Sequence, residues 1–201
     1  MKTLRHVDIG TAEFDLKWEN NKQGMFEESS KLENLRILRR VRMDEEICLK
    51  LESLTQLQII RLSLIMKIHV ETLTPFIAGL PSLEYLELSA LLQFRRKFRP
   101  VEEWCLEDIT FHKLKFLKLV HLAISRWNAS EESFPLLETL VISKCYKLEE
   151  IPLSFADILT LKQIKLIWCE NKSLEASAVR IKEEVSYIEG CDRIDLIITG
   201  N

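Results

Sequence analysis

The chain has 201 residues, of which 47% are hydrophobic and 29% are charged, proportions that are ordinary for a globular domain. Its net charge of -3 does not favour a nucleic-acid binder, and no run approaches the ~20 apolar residues of a membrane span. The amino-terminal MKTLRHVDIG lacks the apolar region of a signal peptide. We therefore expect a cytoplasmic protein whose cysteines are reduced, with no membrane span and no nucleic-acid partner.

A short apolar phrase, roughly Leu-x-x-Leu-x-x-Leu-x-Leu, returns seven times along the chain. The last apolar residues of the copies are Ile9, Met43, Leu62, Leu88, Leu119, Ile142 and Leu166. Their spacings are 34, 19, 26, 31, 23 and 24 residues, close to the 20–29 residues of leucine-rich repeats. The two long spacings predict insertions at about 14–30 and 93–108.

The alternation within each Leu-x-Leu pair is the period of a β-strand, and it places both leucines on one face. One repeat cannot bury that face alone, so neighbouring repeats must stack and share a core. The sequence therefore predicts an α/β fold, a leucine-rich-repeat solenoid with a curved parallel sheet of about seven strands.

The two ends of the chain differ. Residues 1–172 are predicted to be repeats that are incomplete at the amino terminus, because no polar cap precedes the first copy. Residues 173–201 are predicted to cap the same solenoid with a helix and a strand. Ser173 is the expected helix cap, Gly190 the expected helix end, and Arg193–Ile198 the closing strand. The apolar stripe of the helix is Leu174, Ala178, Ile181, Val185 and Ile188. We expect a fragment or carboxyl-terminal part of something longer, although a complete gene product stays possible.

The sequence offers little catalytic chemistry. Its acidic pairs are adjacent residues, which point apart on a strand or helix and form no catalytic dyad. The histidines show no metal-ligand spacing, and neither a phosphate loop nor a nucleophile elbow is present. We therefore expect no enzyme, no metal site and no cofactor in this chain.

Cys145 and Cys169 each follow a repeat landmark by three residues and lie one repeat apart. This is the Asn/Cys position of the leucine-rich repeat, where a small buried residue packs beneath the turn that leaves the strand. A structural role is favoured over a metal or redox role.

The residue between the two core positions of each pair is expected to lie on the concave face. Four of these seven positions are basic, although the chain is acidic overall, and aromatic residues with Lys144 flank them. Aromatic residues are common anchors of protein interfaces. The candidate partner-binding residues are Arg42, Arg61, Tyr85, Glu87, Phe116, Lys118, Lys165 and Trp168. The alternative is that exposed strand residues vary freely.

One basic run, residues 94–100, reads Phe-Arg-Arg-Lys-Phe-Arg-Pro. It is either a patch for an anionic partner or a solvated loop balanced by the acidic residues that follow it. The solvated loop is favoured, and a function for the run stays open.

Residues 134–152 and 154–169 resemble the last repeats of plant intracellular immune receptors of the nucleotide-binding, leucine-rich-repeat type. The wording Phe-Pro-x-Leu-Glu, then Cys145, then Leu-Glu-Glu-Ile-Pro is most similar to the late blight resistance proteins. The tail at 178–184 is similar to their carboxyl-terminal cap, and Trp127 fits the same pattern.

The resemblance implies a cytosolic, plant-defence domain that recognises a pathogen effector or a host protein and holds its own nucleotide-binding domain at rest. ADP or ATP would belong to that nucleotide-binding domain, whose motifs are absent from these residues. An alternative is the substrate-recognition part of a plant F-box ubiquitin-ligase adaptor. A membrane-receptor ectodomain is a further alternative, which is supported by the N-glycosylation sequons at Asn128 and Asn171.

Overall fold

The computed structural model describes residues 6–8, 36–43, 54–64, 70–90 and 103–200, and the side chains of all of these except 6–8 and 39–43. The predicted insertion at 14–30 and the basic run at 94–100 lie outside the described residues, as does Cys48. So do the side chains of Asp8 and Arg42, two of the predicted concave positions.

Ten strands and two α-helices are described. In chain order the strands are β1 (His6–Asp8), β2 (Ile37–Met43), β3 (Ile59–Leu64), β4 (Tyr85–Ala90), β5 (Glu103–Cys105), β6 (Phe116–Val120), β7 (Arg126–Asn128), β8 (Thr139–Ser143), β9 (Gln163–Ile167) and β10 (Asp195–Thr199). The helices are α1 (Val70–Ala78) and α2 (Lys172–Glu189).

Eight of these strands form one sheet in the order β1-β2-β3-β4-β6-β8-β9-β10, and every neighbouring pair is parallel. The prediction of an α/β fold with a parallel sheet is confirmed. The seven predicted repeat strands and the predicted closing strand account for the eight. A second sheet, which was not predicted, joins β5 to β7.

The core lies under one face of the large sheet. The register aligns Leu86, Leu117, Leu140 and Ile164 in one row and Leu88, Leu119, Ile142 and Leu166 in the next. None of these side chains is more than 1% exposed. The leucines that precede each strand, such as Leu137, are also fully buried. Burial of each such side chain contributes about 1.5–3 kcal/mol, so the rows hold neighbouring strands together.

The predicted register is wrong at β2. The pairing of β2 with β3 shifts between Leu38 and Val41, so that Val41 and not Met43 lies opposite Leu62. An irregularity of this kind inserts an extra residue into one strand. Arg42 is consequently paired with Ser63, two residues beyond its predicted counterpart Arg61.

Aromatic side chains fill the layer behind the sheet, where α1 and two short 3-10 helices, Glu131–Ser133 and Leu153–Asp157, also lie. The rings of Trp104 and Trp127 stack with centroids 5.1 Å apart, and Phe155 meets Trp127 edge-on at 5.0 Å. Trp104 Nε1 donates a hydrogen bond to Thr74 Oγ1 at 3.0 Å. Strand β5 therefore makes the end of the predicted insertion at 93–108 part of the core.

The helix α2 was predicted well in its extent but not in its cap. Asn171 is the cap, because its side-chain oxygen accepts a hydrogen bond from the backbone nitrogen of Ser173 at 3.0 Å. Gly190 ends the helix in the left-handed region, with φ of 69°, as expected. Ile188 is 61% exposed, so the predicted apolar stripe stops at Val185.

Arg193 was predicted to begin the closing strand, but it fastens the terminal segment to the preceding repeat. Its guanidinium donates to the carbonyl oxygens of Ile158 at 2.9 Å, Leu161 at 2.6 Å and Ala156 at 3.3 Å. Its Nε also pairs with the carboxylate of Glu189 at 3.0 Å. The side chain is 16% exposed, so these charge-assisted bonds are largely shielded from water.

Leu137 tests the assignment of the two sheet faces. We expect Leu137→Ala to lower the free energy of unfolding by about 2–5 kcal/mol, because it leaves a cavity in the core. Lys165→Ala, on the opposite face, should change it by no more than about 0.5 kcal/mol. Urea denaturation followed by circular dichroism measures both, and equal losses would contradict the assignment.

Arg193 tests the attachment of the terminal segment. We expect Arg193→Ala to cost about 1.5–3 kcal/mol, since it leaves shielded carbonyl groups without a charged donor. The matched control is Arg180→Ala, which removes a pair with Glu150 in which both side chains are more than half exposed. That control should cost less than about 1 kcal/mol. Equal midpoints of chemical denaturation for the two variants would exclude a fastening role for Arg193.

Candidate functional site

The outer face of the large sheet, which points away from the core, carries the predicted partner-binding residues in register. Tyr85 lies opposite Phe116, and Glu87 lies between Arg61 and Lys118. Further along the same row, Val141 follows Lys118 and precedes Lys165. The repeat therefore brings together side chains that are more than twenty residues apart in the sequence.

Five predicted residues form a closed group, the paired cluster: Arg61, Tyr85, Glu87, Phe116 and Lys118. The Glu87 carboxylate lies 3.4 Å from Arg61 Nε and 3.3 Å from Lys118 Nζ, and it accepts a hydrogen bond from the Tyr85 hydroxyl at 3.1 Å. The Tyr85 and Phe116 rings stack with centroids 4.5 Å apart. The Arg61 guanidinium lies 5.2 Å from the Tyr85 ring centroid, within range of a cation–π contact.

The polar groups of the paired cluster lie against one another, although Arg61 Nε, which is 3.4 Å from the Glu87 carboxylate, makes no hydrogen bond. Burial raises the pKa of the Tyr85 phenol above its ordinary value, and the negative charge of Glu87 raises it further, whereas Arg61 lowers it. Tyr85 therefore stays neutral near neutral pH and donates to Glu87. Two basic side chains share this one carboxylate, so Glu87 neutralises one of the two positive charges on this part of the face and contacts both cations.

The edge where the strands begin is also paired. Lys115 Nζ lies 3.3 Å from the carboxylate of Glu84, and Lys162 Nζ lies 2.9 Å from that of Glu138. Each pair joins neighbouring repeats along the backbone ladder that runs from Glu84 to Lys162. These pairs are exposed and contribute little stability, but each lysine in them has an acidic counterpart on the neighbouring repeat.

The other half of the outer face, over β8 to β10, is open. We define the open half by Lys144, Lys165, Ile167, Trp168 and Ile197; Val141, in the same row, is only 5% exposed. Lys165 lies in register between Val141 and Ile197, two apolar residues. Within the described residues, neither Lys144 nor Lys165 has a carboxylate within ion-pair distance. Asp195, at the start of β10, accepts a hydrogen bond from the Gln163 amide at 2.8 Å.

A row of left-handed residues follows the strands, and the sequence did not reveal it. His121, Lys144 and Trp168 have φ of 54°, 55° and 53°, directly after β6, β8 and β9. Each backbone nitrogen still donates to the next strand, from Lys144 to Ile167 at 2.9 Å for example. None of the three is glycine or asparagine, so composition gave no sign of this conformation.

Trp168 is 52% exposed, and its position is held by Gly200. A Cβ atom added at Gly200 would lie 2.6 Å from Trp168 Cδ2, so the indole ring lies directly against this glycine. Gly200 also has a φ of 100°, which favours glycine. The ring is therefore exposed to solvent and fixed in place by the end of the terminal segment.

Cys145 and Cys169 are buried beneath the turns that leave β8 and β9, as the repeat position predicts. The Cys169 thiol is in hydrogen-bonding range of the carbonyl oxygen of Ile142 at 3.5 Å, and the Cys145 thiol of that of Ser143 at 3.5 Å. Burial raises the pKa of Cys145 to about 12 and also raises that of Cys169. Both thiols are therefore poor nucleophiles.

The two sequon asparagines have structural contacts. The Asn171 amide donates to the carbonyl oxygen of Leu148 at 2.9 Å, in addition to capping α2. The Asn128 amide donates to Glu107 Oε1 at 2.8 Å. Both side-chain nitrogens are already hydrogen-bonded, which weakens the argument from sequons for an extracellular domain.

Among the described residues, no group of three or more His, Cys, Asp or Glu side chains is placed to hold a metal ion. Neither helix in the described ranges has the length and apolar character needed to cross a lipid bilayer.

The fold and the outer face define a repeat-built α/β protein that presents a long, ordered row of side chains to solvent. Comparison with known proteins gives its relatives. No protein-family model matches the chain. The late blight resistance protein R1-A of Solanum demissum is 34% identical over 129 aligned residues, which cover 54% of this chain and 10% of that protein.

Two further relatives are putative late blight resistance protein homologues from the same species. R1B-16 is 36% identical over 129 residues, and R1B-11 is 42% identical over 109 residues. Each alignment covers 54% of this chain, and the chain spans only 10% and 8% of the two relatives. Over the aligned half of its length, the chain is thus similar to plant disease-resistance proteins, in agreement with the family that its sequence resembles.

The thiols give a direct test of the packing beneath the turns. In the folded protein near neutral pH, we expect iodoacetamide to modify the exposed Cys191 and to leave Cys145 unmodified, because Cys145 is buried and un-ionised. Unfolding in guanidinium chloride should make both reactive. Peptide mass spectrometry measures the modified fraction at each site, and equal modification of the two in the folded protein would contradict this packing.

Proposed function

We propose that the chain is the leucine-rich-repeat region near the carboxyl terminus of a plant disease-resistance receptor of the nucleotide-binding type. Its strands then form a curved solenoid, and its outer face recognises a pathogen effector or a modified host protein. At rest, the same region restrains the receptor through its own nucleotide-binding domain. The observation that carries the proposal is the exposed, in-register outer face in a homologue of disease-resistance proteins.

The chemistry of the described residues supports binding and not catalysis. The buried thiols are un-ionised, and the one carboxylate of the paired cluster is already paired with both of its basic side chains. Under this proposal the chain acts in the cytoplasm without a cofactor of its own. ADP or ATP would bind a nucleotide-binding domain, whose motifs these 201 residues do not contain.

The named relatives are resistance proteins, which favours the receptor over the F-box adaptor. The adaptor remains the alternative function. It would share the solenoid and the outer face, and it would differ in the domain to which the repeats are joined.

A chimeric receptor tests the recognition role. The segment of R1-A that aligns with this chain is replaced by this chain, and the product is expressed in leaf tissue. We expect no defence response in the absence of a pathogen. We also expect the chimera to recognise a set of pathogen isolates that differs from the set recognised by R1-A. The control chimera carries the equivalent segment of R1B-11, and immunoblots confirm equal protein levels.

An unchanged set of recognised isolates for both chimeras would refute a recognition role for this region. Restraint is tested separately by expressing the chain in trans with an R1-A variant from which the aligned segment is deleted. Under the proposal the two coprecipitate from unchallenged tissue, and failure to coprecipitate contradicts the restraint role.

A further inference from the structure

The outer face of the sheet is not uniform, and its two halves differ in what they offer a partner. The paired cluster over β3, β4 and β6 has its charges and its tyrosine hydroxyl already engaged. A partner that competed for Glu87 would have to break contacts with Arg61, Lys118 and Tyr85. Breaking such partly buried pairs is costly, so this half is a poor site for a charged contact.

The open half has the opposite character. Ile167 and Ile197, which are partly exposed, supply apolar surface, and Lys144 and Lys165 lie beside it without an acidic counterpart among the described residues. Trp168 adds a half-exposed indole ring to the same region. Tryptophan contributes disproportionately to the energy of protein interfaces, and a fixed ring loses less conformational freedom when a partner binds.

We propose that the open half docks a protein segment in which acidic side chains flank an apolar or aromatic anchor. This inference rests on the proposed function, since it names the chemistry of the partner that the outer face takes. The anchor packs against Trp168 and the neighbouring isoleucines, and the acidic side chains pair with Lys144 and Lys165. Charge complementarity selects this partner over a basic or neutral one.

Nucleic acid fits the open half less well than such a segment. Nucleic-acid binders carry a basic stripe or patch that contacts several phosphates. The open half offers two lysines interspersed with apolar residues, on a chain of net charge -3. Apolar surface between the charges matches a peptide with an apolar anchor.

A random-peptide display library, selected on the full chain, tests the inference. We expect the enriched peptides to contain an apolar or aromatic residue between acidic residues. The affinity of one enriched peptide, labelled with a fluorophore, is then measured by fluorescence polarisation. Trp168→Ala should weaken binding roughly tenfold or more, and added salt should weaken it as well.

Charge reversal separates this site from general surface charge. The double variant Lys144→Glu with Lys165→Glu should lose binding to the acidic peptide and should enrich basic peptides in a new selection. The matched control is Lys113→Glu. Lys113 is an exposed lysine in the turn that precedes β6, where the strands begin, and its reversal should leave binding unchanged. Circular dichroism melts confirm that every variant is folded.

A glycine pair tests whether the position of the ring matters. Gly200→Ala forces the Trp168 ring to move, so we expect a several-fold loss of affinity with both lysines intact. Gly190→Ala also alters a glycine with positive φ, but its Cβ would meet no atom within 4 Å, and it should not affect binding.

Enrichment of no acidic-apolar family would overturn the inference, as would binding that is unaffected by Trp168→Ala and by the lysine reversals, or self-association of the chain that the reversals abolish. The last would make a second copy the occupant. A partner that depends on Arg61 or Lys118 would overturn the inference and leave the proposed function standing. If the peptide binds as expected but the chimeric receptor recognises the same isolates as R1-A, the inference stands and the proposed recognition function is refuted.

Discussion

The structure depends on one constraint, which is that no single repeat can bury its own leucines. Each strand presents a narrow apolar face, and only the neighbouring strands cover it. The rows that contain Leu117, Leu140 and Ile164 are fully buried for this reason. Because these rows must align, the residues between them align as well on the outer face. The same constraint that holds the core together therefore builds the ordered surface on which the proposed binding depends.

Periodicity predicted the features that burial alone decides. The strands, the buried cysteine position and the extent of α2 follow from where apolar residues recur. The errors lie where local geometry competes with that pattern. The register shift in β2 depends on one extra residue, and the cap of α2 is Asn171 because its oxygen reaches the backbone nitrogen of Ser173. The second sheet, in which Trp104 stacks on Trp127, has strands too short to leave a recognisable pattern.

The sequence could predict which residues lie on the outer face, but not which of their side chains pair with one another. The sequence placed Arg61, Glu87 and Lys118 on successive strands, but it did not reveal that they pair with one another. Only the structure shows that one carboxylate serves both cations across residues 26 and 31 positions apart. The exposed ring of Trp168 was predicted, but its contact with Gly200 was not. That contact accompanies a left-handed backbone conformation at Trp168, which the residue type did not indicate. The open half, and not the paired cluster, is therefore the surface proposed to bind the partner.

Hydrogen–deuterium exchange of the backbone amides tests the claim of one shared core most directly. If the strands form a single stack, the amides of Leu117, Leu140 and Ile164 should exchange slowly and with similar opening free energies as denaturant is added. The amides of β10, which has a neighbour on one side only among the described strands, should exchange sooner. Free exchange at Leu117 while Ile164 stays protected would show that the repeats do not share a core, and it would contradict the account.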